Sequence, residues 1–88
     1  MRHVITYDIR KDKRRTRLFH LLESYGAWKQ YSVFEMELTS VQRVQIEARI
    51  NNIIDDEDHV RIYALCDRCT KQIIELGSIN SKKSDNVI

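Results

Sequence analysis

Residues 28–38 read WKQYSVFEMEL, and the way this stretch divides decides the fold. Trp28, Gln30, Ser32, Phe34 and Met36 alternate with Lys29, Tyr31, Val33, Glu35 and Glu37, which is the period-two pattern of a strand with one face covered. Left unbroken, the eleven residues would extend roughly 36 Å. That is too long for a chain of 88 residues, so a bend or hairpin is expected near Gln30 to Ser32.

On the N-terminal side, RHVITYDI at residues 2–9 sets His3, Ile5, Tyr7 and Ile9 against Val4, Thr6 and Asp8 and predicts another strand. Asp12 is a candidate N-cap for a helix running to about Tyr25, with Leu18, Leu21, Leu22 and Tyr25 on one face and Gly26 as its stop. On the C-terminal side, Thr39 and Gln42 have capping-box spacing and open a second helix, whose apolar face comprises Val44, Ile46, Ala48, Ile50, Ile53 and Ile54. Asp55 to Asp58 reads as a turn, HVRIYALC at 59–66 as a strand and KQIIEL at 71–76 as a short extra strand.

The order is strand, helix, hairpin, helix, strand, short strand. Alternating rather than uniformly apolar strands imply an antiparallel sheet with both helices on one face. The predicted class is therefore α+β, a ferredoxin-like βαββαβ sandwich over residues 1–77. The polar tail SINSKKSDNVI, residues 78–88, is expected to be disordered or swapped onto a partner subunit. The other sheet face must be wet or covered by a second copy. Tyr7, Tyr31, Phe34 and Tyr63 read as aromatic surface there, which favours a dimer formed through the sheets.

A single domain this short buries only roughly 60–65% of its unfolded surface, which also favours a partner subunit. No apolar run approaches the ~20 residues of a membrane span. The opening MRHVITYDIR reaches Asp8 before a signal-like core can form, and there are only two cysteines. Both features predict a cytoplasmic protein with reduced thiols. The net charge of +2 is unevenly placed: RKDKRRTR at residues 10–17 holds six basic residues and one acid, while the rest of the chain is net acidic. A concentrated patch of this kind suits a polyanion such as nucleic acid, although a solvated helix face has the same composition.

Four segments, YDIRKDKRRTR (7–17), LLESYG (21–26), QYSVFEMEL (30–38) and DHVRIYALC (58–66), together resemble the CRISPR-associated adaptation endoribonucleases. These are the smaller of the two proteins found together in spacer acquisition, an antiviral defence. The resemblance covers about Val4 to Leu76. It implies a ferredoxin-like homodimer, a larger integrase as partner, and a divalent metal held between subunits by the aspartate that ends the first strand, here Asp8. It further implies that Arg15 and Arg17 handle the nucleic-acid backbone and that Phe34, in the SVF motif, lies near the cleft. Some members carry a basic residue where this chain has Trp28, so the cleft here is expected to be less cationic.

Magnesium, or manganese in its place, takes oxygen ligands and is usually held by one or two carboxylates plus substrate phosphate. One Asp8 is a poor site and two copies facing across a dyad are a reasonable one; otherwise Asp8 simply accepts hydrogen bonds at the turn. Arg14, Arg15 and Arg17 are candidate phosphate ligands. Phe34 either stacks on a base or packs in the core or dimer interface. Ser32 and Tyr7 are weaker phosphate donors, and His20 is a lone helix histidine. CDRC at 66–69 has the spacing of half a zinc site or a redox pair, or holds incidental thiols. No serine-histidine-aspartate set and no glycine-rich phosphate loop is present.

Three functions remain open at this point. One is a metal-dependent nuclease cleaving single-stranded RNA or double-stranded DNA. Another is a non-catalytic dimer that grips DNA for the integrase. The third, a ferredoxin-like domain binding a small effector, leaves the basic cluster unexplained.

Overall fold

The computed structural model describes residues 1–77, and the tail expected at 78–88 lies outside them. Strand β1 (Arg2–Asp8) leads into helix α1 (Asp12–Glu23). The hairpin β2 (Ala27–Gln30) and β3 (Val33–Glu37) follows, then α2 (Ser40–Ile53), β4 (His59–Leu65) and a short α3 (Asp67–Thr70). The sheet order is β2-β3-β1-β4 with antiparallel pairing throughout. This is the ferredoxin-like arrangement.

The predicted hairpin turns at Tyr31 and Ser32. Tyr31 takes a positive φ of 39°. A two-residue turn demands that region, which a tyrosine enters at some cost. Trp28 offsets it by donating its indole Nε1–H to the Tyr31 carbonyl at 2.8 Å. The register slips between Trp28 and Gln30, an irregularity in the β2–β3 pairing just before the turn.

Register decides which side chains meet. Ile5 stands opposite both Phe34 and Ile62, and Tyr7 opposite Val60, so these residues share the face covered by α1 and α2. Ile5, Phe34, Leu18, Leu22 and Ile46 are fully buried. Of the four aromatics expected on the open face, Tyr7 and Phe34 are therefore in the core, while Tyr31 and Tyr63 are exposed. What remains on that face is largely polar: Arg2 pairs with Glu35 and Glu37, and Arg61 donates to the Tyr63 hydroxyl at 3.1 Å.

α2 opens with the predicted capping box, Gln42 N–H donating to Thr39 Oγ1 at 3.1 Å and Thr39 N–H to Gln42 Oε1 at 2.9 Å. Its apolar stripe is narrower than expected, because Val44 and Ala48 face solvent. α1 is preceded by Lys11, with no side-chain cap, and Asp12 is its first residue. α1 ends at Glu23 with Ser24 as its C-cap, short of the expected Tyr25, and Gly26 follows at a place where a Cβ would run into the Glu35 carbonyl and Met36 Cβ of β3.

The extra strand expected at KQIIEL does not form. Cys66 to Thr70 winds into α3 instead, and residues 71–76 leave it with no strand pairing, Ile74 and Leu76 exposed. A strand needs a neighbour to take its backbone hydrogen bonds, and among the described residues none pairs with this segment, although Glu75 comes within 3.8 Å of Lys29 on β2.

Candidate active site at the end of the first strand

Asp8 is the last residue of β1 and lies opposite His59, the first of β4. It is exposed, and among the described residues its carboxylate takes part in no hydrogen bond or ion pair. With Thr6, Tyr31, Val33, His59 and Arg61 it lines a shallow cleft of about 520 Å³ on the open face of the sheet. Among the described residues, no three histidines, cysteines or acids gather into a metal cluster. One chain thus presents a single unencumbered carboxylate beside the basic turn.

The predicted arginines separate into different roles. Arg14 belongs to the acidic turn before β4. Its Nε donates to Asp58 at 2.7 Å and its Nη2 to Glu57 at 2.8 Å, with Asp55 3.8 Å from Nη1. These carboxylates raise its pKa further above the usual guanidinium range. In return, Arg14 and the backbone N–H groups of Arg10 and Asp55 hold the Asp58 carboxyl well below the usual carboxylate range. A guanidinium so engaged is not a free phosphate ligand, and the expectation for Arg14 is corrected accordingly. The charge pattern hid this because DDED, residues 55–58, is distant in sequence.

Arg15 braces the turn between β1 and α1. Its Nη1 pairs with Asp12 and its Nη2 donates to the Ile9 carbonyl at 3.0 Å, leaving the side chain 45% exposed. Nearby, burial pushes the Tyr7 phenol up while the Arg15 charge pulls it down. Arg17 is exposed and, among the described residues, makes no hydrogen bond or ion pair. The same holds for the side chains of Arg10, Lys11 and Lys13. These three follow Asp8 by two, three and five residues, and the candidate phosphate ligands read from the sequence did not include them.

Phe34 is not at the cleft surface. It is fully buried, packed edge-on against Phe19 at 5.3 Å between ring centroids and stacked against Tyr7 at 6.4 Å. No base can reach it in the folded chain. His20, exposed on α1, stands 3.5 Å from Glu23 and away from the cleft.

An open-faced βαββαβ sandwich with a free carboxylate beside a basic turn defines a small α+β protein of the ferredoxin-like class. The family described as CRISPR associated protein Cas2 matches residues 1–73, and the chain belongs to it. It is 57% identical over 88 residues to the CRISPR-associated endoribonuclease Cas2 2 of Methanospirillum hungatei, covering 100% of this chain and 99% of that protein. Among solved structures, Streptococcus pyogenes Cas2 at pH 6.5 matches with a TM-score of 0.76 and 32% identity, covering 88% of this chain and 100% of that one. A chain of a partial Cas6-RT-Cas1–Cas2 complex matches with a TM-score of 0.74 and 32% identity, covering 85% and 89%.

Proposed function

We propose that this protein is a CRISPR-adaptation endoribonuclease that works as a homodimer, with Asp8 of each subunit holding one divalent metal, magnesium or manganese. The observation that carries the reading is Asp8 itself, an exposed strand-end carboxylate with no partner in its own chain, next to cations that are equally free. The likeness to the Methanospirillum relative, which is named an endoribonuclease, supports the reaction class. Hard divalent cations favour such oxygen donors and leave positions for water and phosphate, so the residue present fits the group.

When bound, the metal supplies Lewis-acid stabilisation of charge on a phosphodiester. The chain's own residues do the rest. Arg17, with Arg10, Lys11 and Lys13, attracts the backbone and holds phosphates. Arg15 fixes the turn that presents Asp8, with one edge left for a phosphate. Arg14 and Asp58 keep the ends of β1 and β4 together beneath the site.

A second reading is favoured by the likeness to a chain of the Cas1–Cas2 complex. In it the same dimer is a non-catalytic scaffold that grips DNA for a larger integrase subunit. Cleavage of labelled RNA and duplex DNA in magnesium, manganese or EDTA, run beside Asp8→Asn, separates the two. The nuclease reading expects metal-dependent cleavage that falls at least about 100-fold in the variant, the upper end of what even an outer-sphere partner contributes. Equal DNA binding by both proteins with no cleavage by either supports the scaffold.

A further inference from the structure

β4 runs directly into Cys66-Asp67-Arg68-Cys69, two thiols that the proposed nuclease does not use. Both are free and exposed. Cys66 precedes α3 in an extended conformation, φ −69° and ψ 168°, which folds its side chain back over the turn. Its Sγ accepts the Cys69 backbone N–H at 3.5 Å. The Cys66 carbonyl accepts the Thr70 N–H at 2.9 Å and the Thr70 hydroxyl at 3.0 Å, closing the turn from the other side. Residues three apart in a helical turn are neighbours on its surface, so a bond between the two sulfurs asks for side-chain rotation rather than rearrangement of the chain.

We propose that Cys66 and Cys69 form a thiol–disulfide exchange site whose substrate is a low-molecular-weight disulfide of the glutathione type. Cys66 is the attacking sulfur and Cys69 the resolving one. The Cys66 thiolate attacks one sulfur of the small disulfide. The S–S bond of that molecule breaks, a mixed disulfide forms on Cys66, and the departing thiolate takes up the proton that Cys66 gave up. Cys69 then loses its proton, bonds to the Cys66 sulfur and releases the second half as a thiol. The protein gives up two electrons and two protons, and the small disulfide ends as two thiols.

The two sulfurs are not equivalent, which assigns the order. Hydrogen bonds from the Cys69 backbone N–H and the Cys69 thiol lower the Cys66 pKa. Donating to that sulfur raises the Cys69 pKa. The lower thiol is the better supply of thiolate at neutral pH. α3 has only four residues, so these direct bonds rather than a helix dipole carry the asymmetry. Two sulfurs are also half of a tetrahedral zinc set. Among the described residues no third ligand joins them, so a soft metal would require a second chain.

The test is independent of nuclease activity. The reduced, metal-free full chain is equilibrated over a series of reduced-to-oxidised glutathione ratios, quenched with acid, alkylated and weighed intact. The expected product is a single chain that has lost both thiols together and is lighter by two hydrogens. Cys69→Ser should accumulate a glutathione adduct on Cys66, and Cys66→Ser should react about tenfold more slowly at neutral pH. The proposal is overturned if both thiols stay alkylatable in fully oxidised glutathione, if the oxidised product is a disulfide-linked pair of chains, or if Cys66→Ser is the faster to form its adduct. A parallel arm adds zinc. One zinc per two chains that blocks both alkylation and oxidation also overturns the proposal, in favour of a shared metal site.

Discussion

The Arg14 guanidinium grips the Asp58 carboxylate twice, through Nε at 2.7 Å and Nη2 at 3.2 Å, across 44 residues of chain. The pair joins the first turn of α1 to the turn before β4, and Asp8 and His59 sit at the strand ends on either side of it. Asp58 has no exposed side-chain surface, so its charge depends on Arg14 and on the two backbone N–H groups it accepts.

That arrangement predicts an acid-sensitive fold. The folded-state pKa of Asp58 is depressed, so its contribution is fully present above the ordinary carboxylate value of about 4 and is withdrawn as pH falls through the folded value. Urea midpoints should therefore drop from about pH 5 downward. In Asp58→Asn the drop should be shallower, from a lower starting midpoint at pH 7. Arg14→Gln, which strands the carboxylate, should lower the midpoint at pH 7 as well. Parallel pH curves for the parent and Asp58→Asn would remove Asp58 as the cause.

Salt dependence distinguishes the arginines. Arg17 carries a free charge, whereas the Arg14 charge is already neutralised by its own chain. If the basic turn binds nucleic acid, Arg17→Ala should reduce the slope of log affinity against log salt by about 1, as for one lost phosphate contact. Arg14→Ala should leave the slope nearly unchanged while lowering stability. Fluorescence anisotropy between low and moderate salt measures both.

Phe34 affects folding rather than binding. Phe34→Ala should cost about 3–5 kcal/mol, because it empties the centre of the core beneath Ile5 and beside Phe19. Phe34→Leu keeps most of the volume and should stay folded with unaltered nucleic-acid affinity. A large affinity loss in folded Phe34→Leu would mean that the ring does meet the ligand.

Local patterns carried most of the fold, and long-range partners carried what was missed. The capping box at Thr39 and Gln42, the hairpin at Tyr31 and the alternation in β1 and β3 each depend on residues a few positions apart, so each was legible. Which face the alternation buries depends on pairing with β4, and so Tyr7 and Phe34 were assigned to the wrong side. Arg14 looked like its neighbours until the fold brought residues 55–58 against it. KQIIEL has the composition of a strand, but composition cannot supply the neighbouring strand that pairing needs. The proposal for Asp8 rests on the resemblance, since a single strand-end aspartate has no pattern of its own.

Gly26 gives the sharpest test of packing between the helix and the hairpin. Its φ is not in the left-handed region, so alanine can adopt the backbone. The obstacle is space: the new methyl would meet the Glu35 carbonyl and Met36 Cβ, both held in β3, the strand beside the edge strand β2. Neither is the mobile end of a side chain, so β2 and the turn before it must shift outward. Gly26→Ala should therefore destabilise by about 1–3 kcal/mol, the range for overpacking. The loss should be local, with amide exchange accelerated in Ala27 to Gln30 while the amides of β1 and β4 keep their relative protection. Relief by conformational entropy pulls the other way, since alanine at a compatible backbone position stabilises by about 0.4–1 kcal/mol. A variant more stable than the parent would show that the close approach yields more easily than the geometry requires.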